Sequence, residues 1–369
     1  MTDTPPSDPH RIPASPWAGR RVFVTGTTGF KGAWLAFWLQ RLGAEVHGFA
    51  LPPHTTPSLF DELDLAGRIH QTMGDLTEPG AVAAALEQSG AEVVLHLAAQ
   101  AIVRTGFQAP IHTYMTNTMG TLRLLEAVRA TASVRAVVNV TTDKVYSGPN
   151  EVAHTEDGAL GGGGPYSASK VCAEIVSAEA GRRWAAARGL GLATARAGNT
   201  LGGGDWAPDR LVPDCVRAAA AGGSVRLRNP SAVRPWQHVL DVLQGYLTLA
   251  ERLLESPGKA AGAWNFGPAL GDEPDVQTVA AAVLAGLGCS DQLVLAPDEG
   301  GPPEEDVLRL DSSKARQQLG WGPRLDWRRS LLWTADWYRG FADGRSAHAL
   351  CVEQIDSFSA LPPPTLPAP

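Results

Sequence analysis

The seven residues Gly26-Thr27-Thr28-Gly29-Phe30-Lys31-Gly32 constrain this chain more than any other stretch. Three glycines, each three apart, separate a β-branched and aromatic run ending at Thr25 from Ala33–Leu42, where apolar residues recur with helical spacing. The first segment reads as a buried strand and the second as a helix. Glycine lets the backbone turn sharply between them and lets a pyrophosphate come close to the helix N-terminus. A bare turn uses glycines too, but strand, glycine loop and helix near the start of a chain point to dinucleotide binding. Gly26, Thr28, Gly29, Phe30, Lys31 and Gly32 are therefore candidate cofactor residues.

The alternation continues. Ala44–Leu51 is a second strand, followed by Leu51-Pro52-Pro53-His54 where an acidic residue would hold the ribose hydroxyls of NAD. No arginine follows at once for a 2′-phosphate, so this stretch leaves NAD and NADP open. Gln71–Leu76 reads as a third strand with Asp75 at its end, placed to reach an adenine, and Leu76 beside it. A helix from Pro79 to Ser89 leads to a fourth strand, Glu92–Gln100, whose Leu97, Ala98, Ala99 and Gln100 let a cofactor lie against the backbone. His96 reads as a satisfied core histidine. A long helix then carries Asn117, which needs a buried polar partner among apolar neighbours, and continues to Arg129. A fifth strand, Ala136–Val140, runs into Thr141-Thr142-Asp143-Lys144-Val145-Tyr146. Such alternation is α/β: a Rossmann-type doubly wound parallel sheet, with ligands beyond the carboxyl ends of its strands.

Beyond a loop with four consecutive glycines comes Pro165-Tyr166-Ser167-Ala168-Ser169-Lys170. On a helix, Tyr166 and Lys170 share one face. A lysine ammonium favours the phenolate beside it, so tyrosine acts as a base below its usual pKa of about 10. The pattern alone is common; the company it keeps here makes it chemical.

Length and composition set limits. The 369 residues suffice for one large or two ordinary domains. A formal charge of −7 gives no electrostatic reason to bind nucleic acid or an acidic membrane. The four cysteines are scattered without a C-x-x-C, which argues against a disulfide framework or a zinc site, and no metal is expected. The proline-rich start has no apolar signal core and no run of about 18 apolar residues exists, so a soluble cytoplasmic protein is expected.

Taken together, G-T-T-G-F-K-G, the Asp75 strand, H-L-A-A-Q, T-N-T-M-G-T and Y-S-A-S-K with Thr142 upstream resemble the extended short-chain dehydrogenase/reductases. The second half narrows the likeness. Ala195–Trp206, Asp209–Asp214, Arg228-Asn229-Pro230, Val233–Leu240 and Ala263–Pro268 are similar to the CDP-glucose 4,6-dehydratases, as is the pair Asp143-Lys144, where the dTDP-glucose enzymes have Asp-Glu. The resemblance spans about residues 18 to 340.

The proline-rich N-terminus, 1–16, can bury little and is expected to be mobile. The resemblance implies an NAD-binding Rossmann domain over 17–200, rejoined by 236–267. A smaller α/β nucleotide-sugar-binding domain takes 201–235 and 268–345, and a tail takes 346–369. It implies NAD, a CDP-sugar substrate and a homodimer paired through helices 112–129 and 166–187, in an enzyme preparing sugars for surface polysaccharides. Thr142, Asp143, Lys144, Tyr166 and Lys170 become the catalytic candidates. Tyr166 takes the 4-hydroxyl proton, assisted by Lys170 and Thr142. Asp143 protonates the departing 6-hydroxyl and Lys144 helps to remove the C5 proton. Asn117 joins the cofactor residues with Tyr166 and Lys170. Arg234 is placed for the diphosphate, with Arg104, Asn199, Arg210 and His238 as further substrate candidates. Two departures leave another CDP-sugar open as substrate. The loop Ser147–Gly164 lacks the family's tryptophan-containing segment, and Glu304-Glu305-Asp306 replaces His-Glu-Ala. An epimerase or decarboxylase of the same fold is the nearest alternative, and a non-catalytic NAD(P)-binding protein the more distant one.

Overall fold

Short apolar runs in this chain are buried on both faces and become the inner strands of a central sheet. A computed structural model describes residues 15–148, 152–227, 229–295 and 306–364. The proline-rich ends beyond these limits, with Arg228, Glu304 and Glu305, lie outside the described residues. Seven strands form the sheet: β1 (Arg21–Thr25), β2 (Glu45–Ala50), β3 (His70–Met73), β4 (Val93–His96), β5 (Ala136–Val140), β6 (Gly191–Ala197) and β10 (Gly262–Phe266). Their order is β10-β6-β5-β4-β1-β2-β3. The pairs from β6 through to β3 are parallel. The order reverses between β4 and β1, and there the chain leaves β1 into Gly26 and leaves β4 into Leu97. A doubly wound sheet places its ligand crevice at such a point.

The chain divides into two compact units. One comprises 1–145, 161–195 and 246–263; the other comprises 146–160, 196–245 and 264–369. The core of the first packs Phe23, Val94 and Val137 of the sheet against Leu86, Leu124 and Val128 of two helices. The second contains two short parallel pairs. β7 (Thr200–Leu201) pairs with β9 (Gln237–His238), and β8 (Val225–Leu227) with β11 (Leu293–Leu295). An aromatic cluster of Trp206, Trp337, Tyr338 and Phe341 fills its interior. The backbone of Gly203 passes so close to Trp337 that a Cβ there would stand 2.0 Å from the indole.

Three elements differ from the sequence reading. The fourth strand ends at His96 rather than Gln100: the Leu97 N–H is shared between the Thr25 carbonyl at 3.2 Å and Thr25 Oγ1 at 3.1 Å, and the Ala98 N–H turns to Thr25 Oγ1 at 3.1 Å. The third strand ends at Met73, so Asp75 stands in the loop after it. The helix carrying Asn117 is interrupted by a π turn over Met115–Met119. Among the described residues no helix is long and apolar enough to cross a membrane.

Candidate active site

The helix Pro165–Ala180 follows Gly164, with Pro165 in its first turn, where a missing N–H costs nothing. Its residues Tyr166, Lys170, Glu174 and Ser177 repeat at four, four and three. They are all buried and form one polar stripe. The sheet supplies a partner to the lower three. Lys170 Nζ donates to the carbonyl of Val140, the last residue of β5, at 3.0 Å. Glu174 accepts from Thr141 Oγ1 at 2.5 Å and from Thr194 Oγ1 of β6 at 2.7 Å. Asn139 Nδ2 of β5 donates to Ser177 Oγ at 2.8 Å. These bonds fix the rotation of the helix, and with it the position of Tyr166 above the carboxyl end of β5.

Where β5 ends, the chain makes a short turn through Asp143–Val145. Thr142 Oγ1 donates to Asp143 Oδ1 at 2.9 Å, and the Lys144 N–H donates back to Thr142 Oγ1 at 3.3 Å. Asp143 is 2 % exposed and its Oδ2 has no protein partner. A buried carboxyl oxygen left in this way costs free energy that a ligand hydroxyl would recover. Lys144 is half-buried.

Asn117 has the polar network its position demands. Its side chain bonds both main-chain groups of Gln100, at 2.8 and 3.0 Å, and donates to Ser169 Oγ at 2.9 Å. Ser169 Oγ in turn donates to the Tyr166 carbonyl at 2.6 Å. On the other side, Thr121 Oγ1 donates to the Asn117 carbonyl at 2.7 Å and stands 3.2 Å from His96 Nε2, while His96 Nδ1 lies 2.7 Å from Thr25 Oγ1. Because both hydroxyls are committed in one direction, the ring carries its proton on Nε2. Burial brings its pKa down to about 3, so it stays neutral. A continuous chain of hydrogen bonds therefore ties the Tyr166 helix to the residue before the glycine turn. Asn117 and His96 thereby hold the loop after β4 against the Tyr166 helix.

The glycine turn has the shape its sequence requires. Gly26 has φ +79°, and a Cβ on it would stand 2.8 Å from the Ala98 nitrogen; one on Gly32 would stand 1.9 Å from the Gly26 carbonyl oxygen. The following helix, Phe30–Arg41, has Gly29 at its N-cap, no side-chain cap and no acid in its first turn. Uncapped amides at a helix N-terminus suit an anion. The residues present thus fit a pyrophosphate. Thr28 Oγ1 donates to the Leu51 carbonyl at 2.9 Å, which turns the apolar, exposed Leu51 to where an acid would have stood. Asp75 Oδ1 accepts from the Thr77 N–H at 2.7 Å. Leu76 is buried and offers its backbone, whose carbonyl accepts from Arg123 at 3.1 Å.

In the second unit, the Arg234 guanidinium is buried and donates to the carbonyls of Val233 at 2.9 Å and Asp306 at 3.4 Å. Arg210 pairs with the buried Asp205 at 3.1 Å. Asn199 is half-buried, and its carbonyl accepts from the Gln237 N–H at 2.9 Å. His238 stands apart from these: it has no exposed surface, its Nδ1 accepts from the Leu240 N–H at 3.3 Å, and its ring meets Trp333 edge to face. It closes β9 just before the helix Val239–Glu255, and its Nε2 has no protein partner. In the first unit, Arg104 is half-buried on the short helix Val103–Gln108.

Residues 22–267 match the model of the NAD dependent epimerase/dehydratase family. The chain belongs to that family. It is 42% identical over 348 residues to CDP-glucose 4,6-dehydratase of Salmonella typhimurium, covering 93% of this chain and 97% of that one. The dTDP-glucose 4,6-dehydratase DesIV of Streptomyces venezuelae, solved with NAD and TYD bound, superposes with a TM-score of 0.74 at 26% identity, over 88% of this chain and 98% of that one. A UDP-glucose 4-epimerase of Thermotoga maritima shares the fold, with a TM-score of 0.73 at 22% identity over 87% and 99% of the two chains.

Two buried ionisable side chains beside Tyr166 and Lys170 escape a reading of the sequence. Glu174 is one more four-residue step along the Tyr166 stripe, and that spacing is the signal that could have found it. Tyr246, on the helix Val239–Glu255, is fully buried with Lys31 Nζ 5.9 Å from its ring centre. Burial, and then the neighbouring Tyr166 and Asp143, push its phenol up and keep it neutral.

Lys170 titrates unusually. Burial first, then the Lys31 ammonium, bring its pKa down to about 7, while Glu174 pulls the other way. In the unfolded chain it returns to about 10.4. Between these values the unfolded state binds more protons, so this group makes stability rise with pH from about 7 to about 10. Lys170→Met removes that contribution. Its unfolding midpoint relative to the wild type is therefore expected to be higher at pH 7 than at pH 9.5, in thermal scans of both proteins.

Proposed function

We propose that this protein is an NAD-dependent CDP-glucose 4,6-dehydratase, converting CDP-D-glucose to CDP-4-dehydro-6-deoxy-D-glucose. The observation that carries the reading is the turn after β5. It presents a buried carboxyl with one oxygen committed to Thr142 and the other without a protein partner, followed at once by a lysine. These stand in the same unit as Tyr166 and Lys170. Two proton-carrying groups beside a tyrosine–lysine pair are what dehydration requires and plain epimerisation does not. Likeness to the Salmonella enzyme over nearly the whole chain supports the nucleotide and the sugar.

Tyr166, as phenolate, takes the proton of the sugar 4-hydroxyl, with Lys170 stabilising the negative oxygen. When bound, NAD would supply the acceptor for the C4 hydride and the donor of that hydride to C6, with C5 taking a proton back, so no net oxidation would occur. The 4-ketone makes the C5 proton acidic, and Lys144 removes it directly or through a water. Asp143 delivers its proton from Oδ2 to the departing 6-hydroxyl, because Oδ1 is already occupied by Thr142. Gly26, Thr28, Gly29, Phe30, Lys31 and Gly32 would hold the pyrophosphate side of the cofactor, Asp75 and Leu76 its adenine side. Leu97–Gln100 would lie along its other end. Arg234 is proposed for the diphosphate of the substrate, and Arg104, Asn199 and Arg210 as further substrate ligands.

Incubation with NAD+ and, separately, CDP-glucose, dTDP-glucose and UDP-glucose tests this reading by product mass. Loss of one water from CDP-glucose, at least ~10-fold faster than from the other two, is expected; equal rates would remove the nucleotide assignment. We also propose a homodimer. Ile111, Leu122 and Ile175 are exposed apolar side chains on the helices concerned, and light scattering is expected to give twice the chain mass rather than once.

A further inference from the structure

Away from the catalytic cluster, three side chains with metal-binding chemistry meet at the amino end of β2 and β3. Glu45 and His47 are two apart on one strand and so point to the same face of the sheet. His70, the first residue of β3, is the register partner of His47. Glu45 Oε1 lies 3.1 Å from His47 Nε2 and 3.9 Å from His70 Nε2. The donor atoms of all three fall within 4.8 Å of one another, with the two rings stacked at 4.7 Å. Two imidazoles thus address a single carboxylate oxygen.

We propose that Glu45, His47 and His70 form a binding site for one divalent transition-metal ion of the zinc, cobalt or nickel type, which fastens β3 to β2. Two imidazole nitrogens and one carboxylate oxygen are a donor set these ions accept, with waters completing the shell. At metal–ligand distances of about 2.0–2.2 Å, ligands around a tetrahedral ion stand roughly 3.3 Å apart. Glu45 and His47 already meet that spacing; His70 must close by roughly 0.6 Å on Glu45 and by up to about 1.5 Å on His47, swinging out of the stack. Its side chain is 45% exposed and has room to do so. Arg21 is the register partner of Glu45 on β1, and the Glu45 carboxylate opposes its charge.

Placement decides what the ion would do. The glycine turn, Asp75 and the Thr142–Lys144 turn all follow the carboxyl ends of their strands, whereas Glu45 and His70 open β2 and β3 at the amino ends. β3 is a four-residue edge strand, mostly solvent-facing and paired only to β2. A metal cross-link there stabilises the sheet edge and leaves the chemistry alone.

The test uses tag-free, chelator-treated full-length protein titrated calorimetrically with ZnCl2 and CoCl2, with the visible cobalt spectrum recorded alongside. One ion per chain is expected, with a raised unfolding midpoint and unchanged turnover. His70→Ala and His47→Gln are each expected to weaken binding at least ~10-fold while the proteins remain folded and active. Absence of binding would overturn the proposal. So would binding that survives both substitutions, or a cobalt spectrum with thiolate charge-transfer bands, which would place the ion at a cysteine.

Discussion

Replacing Tyr166 by phenylalanine lowers kcat roughly 1,000-fold and leaves cofactor binding nearly unchanged. The variant keeps the ring, and the main chain of this residue is fastened through Ser169 and Asn117 to Gln100 in the loop after β4, so the fold of the site persists. What disappears is the one oxygen able to take the 4-hydroxyl proton, and a positioned general base is worth about 100- to 10,000-fold. Because every later step needs the 4-ketone, no partial reaction should survive: single-turnover mixing with CDP-glucose should show no reduced cofactor. A variant retaining more than about a tenth of wild-type kcat would assign the base elsewhere, with Tyr246 the next phenol to test.

Asp143→Asn separates the two halves of the cycle. The amide still accepts from Thr142 and fills the same volume, but its other atom donates a hydrogen bond and cannot surrender a proton. Elimination should slow roughly 100-fold or more, while oxidation at C4 continues. The expected signature is reduced cofactor building up on mixing with substrate, in the near-ultraviolet, together with enzyme-bound 4-ketohexose that has kept its 6-hydroxyl. Tyr166→Phe and Asp143→Asn thus fail in opposite ways. If dehydration by Asp143→Asn proceeds at the wild-type rate, the acid role of Asp143 is wrong.

Much of the site is legible in the sequence because its signals are local. Strand, glycine turn and helix occupy one stretch, and Tyr166 and Lys170 are one helical step apart. The turn Thr142–Lys144 sits where a strand ends. Glu174 follows the same helical step, but a glutamate on a helix ordinarily faces water. Its partners, Thr141 and Thr194, come from strands that pairing alone brings together. Tyr246 is placed by packing of a helix eighty residues further on, and no short-range pattern announces it. His238 ends β9 with no exposed surface, a burial that no short-range pattern announces. The fourth strand reads too long because its apolar character continues past the point where Thr25 takes up the Leu97 and Ala98 amides.

The most direct measurement is turnover of CDP-glucose in deuterated water, with NAD+ added well below the substrate concentration. Removal of the C5 proton and its replacement from solvent predict a product lighter by one water and carrying one deuterium, located at C5. Product should far exceed the cofactor present, because the hydride is returned in each cycle. A product of unchanged formula with inverted configuration, or conversion that stops once the cofactor is reduced, would contradict the account.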